Sequence, residues 1–577
     1  MTAAPDGRGT TEPQPHRLTL AQFDELAAGG GGPAAIEALR GAQVSKRLLL
    51  LRAVRLSGRC RRHPAWQLLD TAAAQQPDAV HTVLRRPFVG LWATRLLRAG
   101  PGTGVSAEAQ RYLSGLAAAA AVRTGIEFEL PLPAGGGPVL LPGLGQLDVA
   151  GPGTLRHRSG TLRWDGDVGA IAVEPDGDGA PEGRWLAYRT VRHGDAGWEI
   201  EVDDLDPHRQ AFNLAASQRL APDQVEQWTA LIRPALALIE REFPHYLPTV
   251  RGCLRSLVPV AAPRTGTVSA SNQNTFGAVA VSMPADSAEL ALLLIHETQH
   301  AKLSALVDLV DLVDPADTQL FHAPWRADPR PAGALLQGSY AHAAVAQFWR
   351  VRRHSLAGAN ARAAEFEHAL WRDQARRGTE ALLASAALTP VGRSFVERLA
   401  GSLAGAPVTA HPAVREAVYA CTTVTDVRWR LNNYAVPRAD ATELADAYRS
   451  GAVCPSLPGP SVRAGAPPAA AMSDGLAQEI RQRALNVAGL SETVSRSPVS
   501  VPEVDRRLQA APNDEQAWAL LALALTDAGR RRSAAALIQR PELARALAMR
   551  LPGAAPSALA DWLAGASSDR SDRPDRD

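Results

Sequence analysis

The chain is short of cysteine, lysine, aromatic residues and long apolar runs, and each shortage narrows what it can be. Its four cysteines, Cys60, Cys253, Cys421 and Cys454, form no CxxC pair. A disulfide framework and a cysteine-based zinc site are both disfavoured, and reduced thiols in a cytoplasmic setting are expected. The longest apolar stretch, Ala517 to Leu525, falls far short of the roughly 20 residues of a membrane span. Residues 1–16 lack a charged start followed by an apolar run, so no secretory signal is expected there. An excess of one charge is missing too: 61 basic against 59 acidic residues leave a formal charge of +2. That balance provides no drive toward nucleic acid or anionic membranes. Lys46 and Lys302 are the only lysines, so nearly every basic residue is arginine, the mark of a GC-rich coding sequence rather than of a nucleic-acid surface. Aromatics make up 5% of the residues, yet 46% are hydrophobic, which excludes a wholly disordered chain.

At about 150 residues per domain, 577 residues fit three to four domains. The pattern divides as follows. Residues 1–16 read as a flexible tail and 17–125 as a helical region. From 126 to 206, period-two runs between Gly and Pro, such as Ile126–Leu130 and Trp198–Val202, predict a small antiparallel β subdomain. Residues 207–452 read as a mainly helical domain, entered through an extended run at Phe276–Ser282. A Pro-rich linker is expected at 453–472, a C-terminal helical cap at 473–566 and a disordered tail at 567–577. The expected class is α+β and predominantly helical.

The chemistry is concentrated in His296-Glu297-Thr298-Gln299-His300, an HExxH. Asp286, three residues before Glu289, has capping-box spacing, and leucines continue at helical spacing beyond the motif. Histidines at i and i+4 project from one helix face and can share one metal ion, while Glu297 can reach a metal-bound water without ligating. A third ligand is needed. Leu303 and Leu306 stand where a metzincin has its Gly and His. The next helical segment, Leu335–Trp349, offers His342 as its one strong ligand, among small residues that permit close approach. His322 is the runner-up, and Glu365 and Glu367 keep a glutamate-ligated reading open. Asp308, Asp311 and Asp314 read as a solvated helix end. Arg326 and Arg330, on a loop stiffened by three prolines, could clamp a carboxylate in bidentate fashion. Ser269, Ser271 and Asn274 flank the strand before the helix, where an extended peptide could add by β-pairing; Ser271 and Asn274 are the candidate substrate contacts.

These features resemble the HExxH-motif peptide-modification family, over about residues 16–450. The residues that carry the resemblance are His16-Arg17-Leu18-Thr19, Gln43-Val44-Ser45-Lys46-Arg47, the HExxH helix, the Trp325–Pro331 loop and the Gly338–His342 segment. The resemblance implies a zincin-like metal domain whose chemistry has drifted from proteolysis. Family members accompany, or are fused to, radical SAM enzymes that mature ribosomally made peptides, and some are iron(II)- and 2-oxoglutarate-dependent β-hydroxylases. This chain has no CxxxCxxC, so it would be a stand-alone partner of such an enzyme. The expected function is metal-dependent modification of a precursor peptide, most simply side-chain β-hydroxylation, with Fe(II) favoured over Zn and 2-oxoglutarate as cosubstrate. His296, His300 and His342 would be the metal ligands, Glu297 the catalytic carboxylate, and Arg326 and Arg330 the carboxylate clamp. A zinc metalloprotease is the alternative, and a non-catalytic peptide-binding protein with a structural metal the second.

Overall fold

A computed structural model describes residues 15–58, 60–99, 104–133, 135, 137–149, 151–166, 169–173, 184–194, 197–263, 266–404, 411–455, 461–462 and 499–565. Of the expected irregular segments, the tail before Pro15, most of the linker and the tail at 567–577 lie outside these residues. The chain forms two compact units, Met1–Asp311 and Leu312–Asp577. This division falls inside the span 207–452 that the sequence suggested as one domain.

The first unit begins with helices α1 (Leu20–Ala27), α2 (Pro33–Leu56), α3 (Ala65–Gln75), α4 (Pro77–Leu84), α5 (Pro87–Arg98) and α6 (Ala107–Arg123). Thr19 and Gln22 close a reciprocal capping box on α1, and prolines open α2, α4 and α5, where no backbone N–H is required. His16 reaches Ser45 at 2.8 Å, which joins the first two segments of the family resemblance. The alanine-rich α6 is buried along Ala117–Ala121 because its small side chains let neighbouring elements close over it.

Short strands follow: β1 (Phe128–Leu132), β2 (Val139–Leu141), β3 (Gly145–Leu147), β4 (Gly153–Arg158), β5 (Thr161–Gly166), β6 (Gly169–Val173), β7 (Trp185–Ala187), β8 (Arg189–His193) and β9 (Trp198–Val202). The first seven make two antiparallel sheets, ordered β1-β4-β5-β6 and β2-β3-β7, which share a core with α6 through Leu116, Leu140 and Trp164. A self-contained antiparallel subdomain ending at 206 is not what forms. After helices α7 (Pro222–Glu242) and α8 (Leu247–Cys253), strands β10 (Leu254–Val260), β11 (Ser269–Ala270) and β12 (Gly277–Ser282) complete a separate sheet, ordered β11-β12-β10-β9-β8. In it β10 runs parallel to both β9 and β12, while β8 and β11 are antiparallel edges. The physical reason is burial. Every residue of β12 and nearly every residue of β10 is covered, which requires a central position between neighbours on both sides. Helix α9 (Ser287–Val307), which carries the HExxH, follows β12 directly.

The second unit is nearly all helix. A two-residue pairing of β13 (Leu320–Phe321) with β14 (Arg330–Pro331) leads into α10 (Ala332–Ser355), α11 (Gly358–Leu383), α12 (Pro390–Leu403) and α13 (Pro412–Asn433). Strand β15 (Tyr434–Ala435), helix α14 (Arg438–Arg449) and β16 (Ser461–Val462), which pairs with β15, come next. Helices α15 (Val501–Ala510), α16 (Glu515–Asp527), α17 (Arg531–Gln539), α18 (Pro541–Ala548) and α19 (Pro556–Gly565) close the unit. They are not an independent cap: Trp518, Leu521 and Leu547 share one core with Val424, Val427 and Leu431 of α13 and Leu444 of α14. Among the described residues no helix is long and apolar enough to cross a membrane. The class is α+β with a helical majority.

Candidate metal centre

Helix α9 starts at Asp286, whose carboxylate accepts from the N–H groups of Ala288 and Glu289 at 2.9 and 2.8 Å. Glu289 accepts from the Ala285 N–H, so the start predicted from the spacing is the start observed. The helix is buried on most of its circumference, as an inner helix must be. Both lysines of the chain fasten it. Lys302 is 1% exposed and donates to the Gly29 and Gly30 carbonyls beyond α1. Lys46 donates to both oxygens of Asp308, the C-cap residue, and Gln43 to one of them. Asp308 is therefore an anchored end rather than a free solvated face. The scarcity of lysine was the available signal for these two positions.

One turn apart on α9, the His296 and His300 rings meet edge to face with centroids 4.8 Å apart, and their Nε2 atoms are 3.2 Å apart. Two imidazole nitrogens that share a tetrahedral ion at about 2.0–2.1 Å stand about 3.2–3.4 Å from each other, so the pair fits two ligand positions. Burial lowers the His296 pKa to about 4, with His300 adding to the shift and Glu297 opposing it, so the ring is neutral and keeps a lone pair.

Glu297 is 3% exposed and points to the sheet instead. Ser269 Oγ donates to one carboxylate oxygen at 2.6 Å and Ser271 Oγ to the other at 2.7 Å. Residues i and i+2 of an extended chain face the same way, which is why Ser269 of edge strand β11 and Ser271, just past its end, arrive together. Ser271, predicted to touch substrate, is thus committed to Glu297, and the partnership escaped the sequence reading although Ser-Ala-Ser displays the period. Asn274 lies in the turn toward β12, where its N–H donates to Asn272 Oδ1 at 2.9 Å. The Phe276–Ser282 run is an inner strand rather than the expected docking edge: β12 pairs along its length with β10 on one side and through Ala280 and Val281 with β11 on the other. The edge available beside the motif is β11.

In the second unit, His342 is buried and sandwiched by indoles, at 4.5 Å from Trp371 with an interplanar angle of 9° and at 4.5 Å from Trp325 with 34°. Its Nδ1–H donates to the Gly338 carbonyl at 2.8 Å. The expected small neighbours permit this packing: a Cβ at Gly338 would overlap Trp325, and one at Gly378 would overlap Ser339. Glu367 accepts from the Trp371 indole at 2.9 Å, and Glu365 from the His411 N–H at 3.2 Å. His322 is stacked on Trp429 at 4.3 Å; burial, then Arg377 and Arg430, push its pKa down to about 3. Two guanidiniums beside a ring oppose a bound cation, so His322 is the poorer ligand. Arg326 and Arg330 share the Asp328 carboxylate at 3.0 and 2.9 Å. Burial acts to raise the Asp328 pKa, but these two hydrogen bonds hold it below the ordinary value. A carboxylate of this chain already occupies the fork predicted for a cosubstrate.

Among the described residues no group of three or more His, Cys, Asp and Glu side chains is gathered as a metal site. The structure brings together His296, His300, Glu297, Ser269 and Ser271; His342 with Trp325 and Trp371; and Arg326 with Arg330. No protein-family model matches the chain, and no curated protein matches it.

Proposed function

We propose that this chain is a metal-dependent enzyme that modifies a ribosomally made precursor peptide, by side-chain β-hydroxylation with iron(II) and 2-oxoglutarate. The observation that carries the reading is the His296–His300 pair, with Nε2 atoms 3.2 Å apart, beside a Glu297 restrained by two serine hydroxyls. His342 is the third ligand expected from the sequence; within its own unit its ring is oriented by the Gly338 carbonyl as metal-bound imidazoles are by backbone acceptors. Bound iron would supply oxygen activation at the expense of 2-oxoglutarate. The protein residues do the rest. The histidines hold the ion, and the β11 edge offers backbone groups to an extended peptide. Glu297, fixed through both oxygens, orients its surroundings. A general base must be able to move a proton between water and product, and the double restraint on Glu297 favours oxidation over hydrolysis. The zincin-like fold and a radical SAM partner belong to the same proposal.

The test combines the protein, purified without oxygen, with iron(II), 2-oxoglutarate, oxygen and a precursor peptide. The product should gain one oxygen mass without chain cleavage, and succinate should form. A cut peptide with zinc and no oxygen requirement would establish the metalloprotease instead. That second reading draws on Glu297 following His296 directly, as in zinc peptidases. Stoichiometric metal with neither product would leave a peptide-binding protein.

A further inference from the structure

A cavity of about 260 Å³ opens in the first unit and shares no residue with the HExxH site. It lies at the starts of β10 and β12, where Leu254 and Gly277 face the end of α8 and the middle of α2. Five of its fourteen lining residues are arginine, against about one in ten along the chain. The five come from four places: Arg40 and Arg47 from α2, Arg85 from the end of α4, Arg251 from α8 and Arg255 from β10. One carboxylate, Glu199, lines the same space, and Arg192 engages it at 2.8 Å.

Three of the guanidiniums, those of Arg47, Arg251 and Arg255, are propped in place, and Arg40 pairs with Glu37 at 2.7 Å. Arg47 donates to the Leu84 and Phe276 carbonyls at 2.9 and 2.6 Å. Burial, more than any neighbour, lowers its pKa to about 10, and the group remains charged at neutral pH. Arg251 lies over the Trp198 ring at 5.3 Å. Arg255 gives one N–H to Glu201 at 3.2 Å, while its buried Nε has no hydrogen-bond partner among the described residues. Like charges converging on a half-enclosed space repel one another unless an anion joins them.

We infer that this cavity binds a small phosphate-bearing anion. A planar carboxylate is met by a single guanidinium fork, whereas a tetrahedral phosphate presents oxygens toward donors that arrive from four elements. The volume is below the roughly 300 Å³ at which sites for drug-sized ligands begin, which limits the ligand to a phosphate group and a few further atoms.

Calorimetric titration of the full chain with inorganic phosphate, pyrophosphate and citrate, at constant ionic strength, tests this. Pyrophosphate should bind at one saturable site and more tightly than citrate. The double variant Arg251→Ala/Arg255→Ala should weaken it at least tenfold, and Arg52→Ala/Arg158→Ala, which removes equal charge elsewhere, should leave it unchanged. Arg251→Lys/Arg255→Lys keeps the charge and should still lose several-fold; it also serves if the alanine variant does not fold. Three results would each overturn the inference: no saturable binding, equal weakening in both alanine variants, or citrate binding as tightly as pyrophosphate.

Discussion

Ser271 donates its hydroxyl to Glu297 at 2.7 Å, across 26 residues and from just past an edge strand to the middle of an inner helix. Ser269 completes the restraint on the other oxygen at 2.6 Å. Hydrogen bonds to a charged group contribute about 1.5–3 kcal/mol each, and their loss leaves a buried carboxylate short of donors. Ser269→Ala/Ser271→Ala should therefore lower stability by about 3 kcal/mol in urea melts. In the reading proposed above it should also reduce turnover at least tenfold while metal content is kept. The Ser271→Thr variant should restore most of both, since it returns the hydroxyl.

The two Nε2 atoms of His296 and His300, 3.2 Å apart, suit a shared ion and suit an imidazole–imidazole hydrogen bond equally. Metal analysis separates them. Stoichiometric iron or zinc in the wild type, lost in His300→Ala, is the expected outcome. His342→Ala should lower metal affinity at least tenfold with the helical circular dichroism unchanged. Full retention would remove His342 from the ligand set.

Gly338→Ala should destabilise the second unit by about 1–3 kcal/mol, because the new methyl overlaps the Trp325 indole that stacks on His342. Chemical denaturation measures the loss. A shift under 0.5 kcal/mol would mean that Trp325 can leave its place without penalty.

A pH effect follows from the buried acids at the end of β9. Burial raises the Asp206 pKa from the ordinary 3.8 to about 8, and the neighbouring Asp203 charge adds to the shift. The His208 N–H, the Tyr112 hydroxyl and Arg86 act against it. The folded chain thus holds this proton more tightly than the unfolded one. The associated stability is complete below about pH 4 and is lost as pH rises through about 8. Asp206→Asn keeps the acceptor for the His208 N–H and removes the titration. Wild type should lose stability between pH 5 and pH 9 relative to the variant, and parallel curves would assign the effect to other groups.

Local backbone geometry was legible in advance. Residues i and i+4 share a helix face whatever surrounds them, and Asp286 caps the helix through donors two and three residues away, so the HExxH pair and its helix follow from spacing alone. Gly338 and the small residues beside His342 likewise announced a close helix contact, whereas the matching Gly378 was seen only in the fold. Strand partners were not legible, because alternation shows that a run is extended but not which neighbour it pairs with, or in which direction. The parallel pairing of β10 with β9 and β12, and with it the loss of Phe276–Ser282 as a docking edge, needed the whole sheet. The same holds for side chains that meet across sequence. Arg326 and Arg330 looked available to a ligand, since nothing in a run of letters says that both will turn onto Asp328. Ser271 looked like a substrate contact until the chain leaving the edge strand carried it to Glu297. The arginine cavity draws on residues from Arg40 to Gly277, invisible in a chain where arginine is everywhere. Sequence by itself determined the helices, their caps and the two-histidine face, because those interactions close within one turn of backbone. Tertiary structure alone decided what each polar group spends its hydrogen bonds on, because a buried donor or acceptor must find its partner wherever the fold places one.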